Sequence, residues 1–566
     1  MVTRYEKFDL PLIARRARNY ITSMVDEALD YLPYWFIQIN ESPAYARHVR
    51  VDDAELVASW YEAIVALRHI LGEDGKSRMV EEGFKRHLMK SWGPKGLRYH
   101  EDYPWSNTNH ASFHEAAYVL SALNRLLAEE PDNREAQKRA REYVRGLRGL
   151  VIQRTTKTFW SGDFAFDEKV YEFPGDVYLR DGGFVPGRVT GRGEEPIRNA
   201  MMLHALAIRA ERFGDEVALD LAEGLANHLL GLSRYFNWRG EFFGHVHSAL
   251  WFAAGLARLS RLADNEFYVS RANEIFSYMR SQSSSFGWVP EFAQWQPPSG
   301  RVCETCCIKD MIELALELID NGGYDYWDVV DSFTRNHLAE SQIQDGRFIS
   351  EDNTRQDAGG HTWKHMSARV VGGFSGGSLP NSISLSRFRS IAGCCVGTAP
   401  QVLQLVWERI VERWGNDVRV NLPMEKDADA ARVEIGYPND GYLQVTAKAA
   451  GNYRIRAFEW MGTRVEATVN GRPMPLVYSE GCLFFPKVAA GDVIRVAHAL
   501  AEERRRETVT GIDFTVSWRG PDVVSLDPNG APLQLYQRLE GVEKQYPKPA
   551  GTTGSGITMK PTEQSR

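Results

Sequence analysis

Five of the six cysteines in this 566-residue sequence fall in two short runs, Cys303-Glu304-Thr305-Cys306-Cys307 and Gly393-Cys394-Cys395. A fold in which the runs act together must join segments about ninety residues apart. Glu304 and Cys306 are two apart, a spacing that projects both side chains together only from an irregular turn at a helix start. Adjacent Cys394 and Cys395 suit a strained loop that points both sulfurs inward. Three thiolates and one carboxylate make a tetrahedral zinc set, because soft sulfur donors select zinc over magnesium or calcium.

Composition narrows the setting. Hydrophobic content of 43% and charge of 25% are those of a globular chain with room for two or three domains. A net charge of -7 argues against nucleic-acid and anionic-membrane partners. Met1 to Leu10 has no apolar leader and no run reaches eighteen apolar residues, so a cytoplasmic location is expected. Clustered cysteines in such a chain read as metal or catalytic thiols and not as a disulfide framework. The 15 Trp, 23 Tyr and 26 Phe often stand beside Gly, Asn or Asp, as in Phe236-Asn237-Trp238. Flat rings among hydrogen-bonding groups suit a carbohydrate, and they equally fill a large core.

From about residue 10 to 415 the apolar period is helical. Stripes run through Leu56, Trp60, Ile64 and Leu67, through Ala116 to Leu127, Leu203 to Ala210, Ala249 to Leu262, Tyr268 to Met279, and Ile308 to Ala315. A last stripe, Val402 to Trp414, is predicted to start behind Thr398 as N-cap, with Pro400 in the first turn. Successive helical hairpins without strand signals between them predict a closed α/α toroid over residues 1–415. Short runs rich in Val, Ile, Tyr and Thr then alternate with Asn-Gly and Pro-Asn-Asp-Gly turns, predicting an antiparallel β-sandwich over 416–545. Residues 546–566, rich in Pro, Gly, Thr and Ser, read as a disordered tail.

The ordered set of short motifs adds a resemblance. Gly244-His245-Val246-His247, Glu291-Phe292, Glu304-Thr305-Cys306, Tyr326-Trp327-Asp328-Val329, Asp345-Gly346-Arg347-Phe348 and Gly393-Cys394-Cys395 occur in this order, followed by Val469-Asn470-Gly471 and Trp518-Arg519-Gly520. The succession resembles the β-L-arabinofuranosidase family, glycoside hydrolase family 127, and its relative family 146. The resemblance implies an (α/α)6 barrel followed by β-sandwich domains. It implies a retaining exo-glycosidase that releases a terminal furanose, β-L-arabinofuranose, from a small oligosaccharide or glycoside. It implies Zn2+ on Glu304, Cys306, Cys394 and Cys395, Cys394 as nucleophile and Glu291 as acid/base. A substrate-contacting glutamate of the family falls on Asp331, one methylene shorter, and its histidine falls on His245.

The chemistry calls for these residue types. A free thiol, with a pKa of about 8.5, is mostly protonated at neutral pH, and metal coordination deprotonates it. A carboxylic acid must still protonate the departing oxygen and later activate water. His110 and His114, with Asn107, lie in an aromatic, polar stretch before a helix and are candidate sugar contacts, or satisfied histidines of a helix cap. Two other functions stand beside the hydrolase. One is a sugar epimerase or isomerase on an α/α toroid, using histidines such as His245 and His361 with a structural zinc site. The other is a non-catalytic carbohydrate-binding protein. A homodimer is compatible with either.

Overall fold

The computed structural model describes residues 3–106, 109–160, 164–187, 193–385, 390–500 and 502–546. Its α-helices are α1 (Leu10–Ser23), α2 (Glu55–Leu71), α3 (Gly75–Leu88), α4 (Phe113–Glu129), α5 (Arg134–Arg148), α6 (Glu194–Asn199), α7 (Leu203–Phe213), α8 (Glu216–Asn227), α9 (Val246–Ala263), α10 (Glu266–Gln282), α11 (Thr305–Asp320), α12 (Trp327–Phe333), α13 (Met366–Arg369) and α14 (Gly393–Arg409). Their packing is circular. Helix α2 meets α4, α4 meets α7, α7 meets α9, α9 meets α11, α11 meets α14, and α14 returns to α2. The short α6 also touches α4 and α9, so α6 and α7 share one place in the ring. Outside the ring α3 lies on α2, α5 on α4, α8 on α7, α10 on α9 and α12 on α11, while α1 covers α2 and α14. The result is an α/α barrel.

Local sequence separates the layers. The ring helices are apolar on nearly every side: thirteen consecutive residues of α2, Glu55 to Leu67, are buried. The outer α5 buries only Ala136, Ala140, Tyr143, Val144 and Leu147, one stripe at helical spacing. Outer helices carry side-chain N-caps, Asp9 on α1, Asp74 on α3, Asn133 on α5, Asp215 on α8 and Asn265 on α10. The ring helices α2, α9, α11 and α14 have none. Their first-turn amides are left for other partners.

The structure departs from the expected helix at Val402 to Trp414. Helix α14 begins at Gly393 with Ala392 at its N-cap, holds Pro400 inside, and ends at Arg409. Proline removes one amide donor, which tight packing against α2 offsets. A Cβ on Gly393 would lie 2.8 Å from Leu56 Cδ2 and one on Gly397 would lie 2.5 Å from Ser59 Oγ. The Trp60 indole also donates to the Gly393 carbonyl at 2.9 Å. Thr398 caps nothing; its hydroxyl points to Cys306 Sγ at 3.3 Å. Strands also occur within the helical part, contrary to expectation, most extensively where Ile152–Trp160 pairs with Phe164–Glu172.

After α14 the chain turns directly into sheet. Val411–Trp414 pairs antiparallel with Asp417–Val420, which lies parallel to Gly451–Arg456. This five-stranded sheet is therefore mixed, where a wholly antiparallel arrangement was expected. A six-stranded sheet is antiparallel throughout. In both sheets burial alternates, as at Leu443, Val445 and Ala447 or at Tyr453 and Ile455, so each presents one apolar face. Asn470-Gly471, both at positive φ, closes the hairpin Val465–Val469 to Arg472–Met474. Glu502 to Asp527 forms a three-stranded meander, and Leu533–Gln534 returns to pair with Ser382–Ile383 of the helical part. The expected tail, 546–566, lies outside the described residues except for Tyr546, which stacks on Phe348. Asn107 also lies outside them. No described helix is long and apolar enough to cross a membrane.

Candidate metal centre and active site

The two cysteine runs meet where ring helices begin. Glu304 is the N-cap residue of α11 and Cys306 its second residue; Cys394 and Cys395 are the second and third residues of α14. The pair therefore sits in a regular first turn, not in the strained loop expected. One donor atom from each of Glu304, Cys306, Cys394 and Cys395 lies within 4.8 Å of the others. Glu304 Oε1 stands 3.5 Å from Cys394 Sγ and 3.8 Å from Cys395 Sγ, and Cys306 Sγ stands 3.4 Å from Cys395 Sγ. Cys306 and Cys395 are fully buried, whereas Cys394 keeps 8% exposure. Cys394 is thus the most exposed of the three, though still largely buried.

The four donors form a group that could hold a metal ion. Burial pushes the Cys306 and Cys395 thiols far up, and contact with Cys306 does the same to Cys394. Burial also raises Glu304, but His245, His247 and the Cys394 thiol outweigh it and hold the carboxyl at about 2. Three buried thiols and an ionised carboxylate, with the positive ends of α11 and α14 behind them, match the soft donor set of a zinc ion. Cys303 and Cys307 do not join the four. The Cys303 backbone pairs with Ser378 and burial pushes its thiol to about 12, while Cys307 Sγ lies 4.0 Å from Glu304 Oε2.

Two strands bring further groups to this place. Gly244–His245 pairs with Phe292–Ala293. The Glu291 carbonyl accepts from Val246 N at 2.9 Å, and Glu291 N donates to the Val302 carbonyl at 2.8 Å. Glu291 is thereby fixed between the segment that leads to Glu304 and the segment that carries His245. His245 faces Glu304 Oε2 at 3.4 Å. His114, in the first turn of α4, lies 3.8 Å from Glu55 at the start of α2, and burial pushes its pKa down to about 4.

The other expected contacts lie elsewhere. His110 is in a separate buried group, its ring 4.7 Å from His100, whose Nε2 meets Glu115 at 2.6 Å; burial takes His110 to about 4. Asp331 is corrected more sharply. It is 2% exposed and accepts two bonds from Arg335, which also faces Asp522 and donates to the Pro423 carbonyl. That ionic group joins α12 to the β region, and a carboxylate engaged there is not available to a sugar. His361 stacks on Trp363 and lies in a strand paired with Tyr45–Arg47.

Some residues of the site were not singled out from sequence. Glu55 is buried, and burial with the charges of Glu115 and Glu304 pushes its carboxyl well above the usual range. Tyr118 donates to, or accepts from, His247 Nε2 at 2.9 Å, and His247 Nδ1 meets Asp310. The signal available for Glu55 was its place at the head of an apolar stripe, since first turns of ring helices face this end. A second group with metal-compatible spacing, Glu172, Glu195 and His228, is different in kind. Arg154 binds Glu172, Arg198 binds Glu195, and His228 Nε2 bonds Glu195 at 2.5 Å, so the carboxylates are already neutralised.

An α/α barrel joined to a β region, with three thiols and a carboxylate gathered where its ring helices begin, is a distinct class of architecture. Solved structures with this fold include a glycoside hydrolase family 127 β-L-arabinofuranosidase from Geobacillus stearothermophilus T6, similar at 15% identity over 92% of this chain and 86% of that one, with a TM-score of 0.56. A second family 127 β-arabinofuranosidase is similar at 16% identity over 91% of this chain and 81% of that one, with a TM-score of 0.57. A third structure, described as a glycoside hydrolase, has 13% identity over 88% and 84%, with a TM-score of 0.56. At these identities the likeness is one of fold, and it agrees with the resemblance carried by the motifs. No protein-family model matches the sequence, and no curated protein matches it.

Proposed function

We propose that this chain is a retaining exo-glycoside hydrolase that releases a terminal furanose, with Cys394 as nucleophile and Glu291 as acid/base. Its metal centre is Glu304, Cys306, Cys394 and Cys395, and its ion is zinc. The observation that carries this reading is the convergence of those four donors within 4.8 Å, with Cys394 alone among the three thiols partly exposed. When bound, zinc keeps these thiols deprotonated near neutral pH, which burial alone opposes.

In the first step Cys394 Sγ bonds to the anomeric carbon as the glycosidic C–O bond breaks, and Glu291 gives its proton to the departing oxygen. In the second step Glu291 takes a proton from water, the water oxygen bonds to the anomeric carbon, and the C–S bond breaks. Two displacements at one carbon retain configuration. The backbone bonds of Glu291 to Val246 and Val302 set its position. The similar folds point to β-L-arabinofuranose as the sugar.

The test is metal content by elemental analysis together with turnover of p-nitrophenyl furanosides and pyranosides, on wild type and Cys394→Ser. Zinc near one per chain with furanoside turnover lost in the variant supports the assignment. Turnover unaffected by the serine change makes the metal group a structural tie.

A further inference from the structure

Glu304 offers its two oxygens to two different surroundings. Oε1 faces the Cys394 and Cys395 sulfurs, and Oε2 faces His245 Nε2 at 3.4 Å and Cys307 Sγ at 4.0 Å. His245 in turn is fixed from its other side, where Nδ1 lies 2.6 Å from Ser248 Oγ. Ser248 is fully buried in the first turn of α9 and His245 is that helix's N-cap residue. The strand pair Gly244–His245 with Phe292–Ala293 anchors the backbone beneath the ring.

We propose that Ser248 and His245 are positioning residues for Glu304: they reserve Oε2 for the imidazole and so present Oε1 alone to the metal group. This rests on the reading of Glu304, Cys306, Cys394 and Cys395 as the metal centre. The hydrogen-bond logic is directional. In the neutral imidazole with Nε2–H toward the carboxylate, the bare Nδ1 accepts the Ser248 hydroxyl; in the imidazolium both nitrogens donate and Ser248 Oγ accepts. In either form Ser248 fixes the ring from its Nδ1 side, and the fixed ring occupies Oε2 while Oε1 faces the sulfurs. A carboxylate held through one oxygen is a single ligand, which keeps a four-donor site from closing with a fifth bond. Outer partners of this kind govern metal affinity by about 10–100-fold. A histidine that acted only as a sugar contact would need neither the hydroxyl behind it nor the carboxylate in front.

The experiment uses the full chain loaded with zinc, and separately with cobalt(II), in wild type, His245→Ala, His245→Gln and Ser248→Ala. Zinc release to a chromogenic chelator and the cobalt visible spectrum are read without substrate. Faster zinc release by about tenfold or more is expected for His245→Ala, a smaller increase for Ser248→Ala, and recovery in His245→Gln, whose amide restores a donor toward Oε2. The cobalt bands should shift in the same order. Ser248→Ala and His245→Gln decide the matter if His245→Ala does not fold. Unchanged release and unchanged cobalt spectra, with only KM raised, overturn the positioning role while leaving the metal centre intact. Wild-type protein that takes up neither ion overturns the metal centre itself, and this proposal with it.

Discussion

Glu304 Oε1 lies 3.5 Å from Cys394 Sγ, although ninety residues separate them. The contact joins the first turns of α11 and α14, neighbours in the ring. It places a carboxylate against the least buried of the three thiols, and the chemistry proposed for the protein follows from that meeting.

Cys394→Ser keeps an oxygen where the sulfur stood but loses the proposed nucleophile. Furanoside turnover should fall by at least about a thousandfold. Steady-state kinetics beside a circular dichroism spectrum checks that the loss is chemical and not one of folding.

Glu291→Gln removes the proposed proton donor while keeping size and backbone bonds. With an alkyl or sugar leaving group, kcat should drop by about 10²–10⁴-fold. With a nitrophenyl leaving group, which departs without protonation, the first step should be nearly spared. Equal losses on both substrate types in pre-steady-state measurements would remove Glu291 from the acid role.

The proposed metal centre has a second property that a metal-free preparation should show. Cys306 and Cys395 sulfurs lie 3.4 Å apart, so the metal-free protein should lose two thiols to mild oxidation. Peptide mass spectrometry should find Cys306 linked to Cys395, and the metal-loaded protein should resist the same treatment.

Arg335 is fully buried between Asp331 and Asp522. Arg335→Ala strands the buried Asp331 carboxylate, while Asp522 keeps Arg538 at 3.3 Å, and should destabilise the fold by about 3–5 kcal/mol. Asp331→Ala should likewise lower the melting temperature while leaving KM unchanged. A KM effect without a stability effect would return Asp331 to the substrate.

Burial raises Glu62 to about 7, despite Arg125 and the bond from Ser121. A carboxyl whose folded pKa exceeds its unfolded value favours folding fully below the unfolded pKa. That contribution is lost as pH rises from about 4.5 through about 7. Glu62→Gln should therefore melt closer to, or above, wild type at pH 8 than at pH 5, a relative gain of roughly 1–3 °C. Thermal melts across that range check the sign.

The sequence announces some of this directly. Helical stripes such as that of α2 are read easily because their period is strong, and the cysteine pairs stand out because so few cysteines lie elsewhere. Pro400 misleads because its usual place is a first turn, while here the glycines of α14 allow contact with α2 close enough to tolerate it inside. The parallel pairing of Asp417–Val420 with Gly451–Arg456 leaves no mark in the alternation of apolar residues, which is the same for either direction. Asp331 misleads for a longer-range reason. Arg335, one turn on, is a legible i,i+4 partner, but its own neighbour Asp522 in the β region is recorded by no local pattern.

The most direct measurement is peptide mass spectrometry of Glu291→Gln quenched in acid during turnover of an aryl β-L-arabinofuranoside. Without the base that activates water, the expected result is one pentosyl unit on the peptide carrying Cys394. Unmodified Cys394 in a protein still releasing aryl alcohol, or the sugar on another residue, would contradict a cysteine nucleophile at this site.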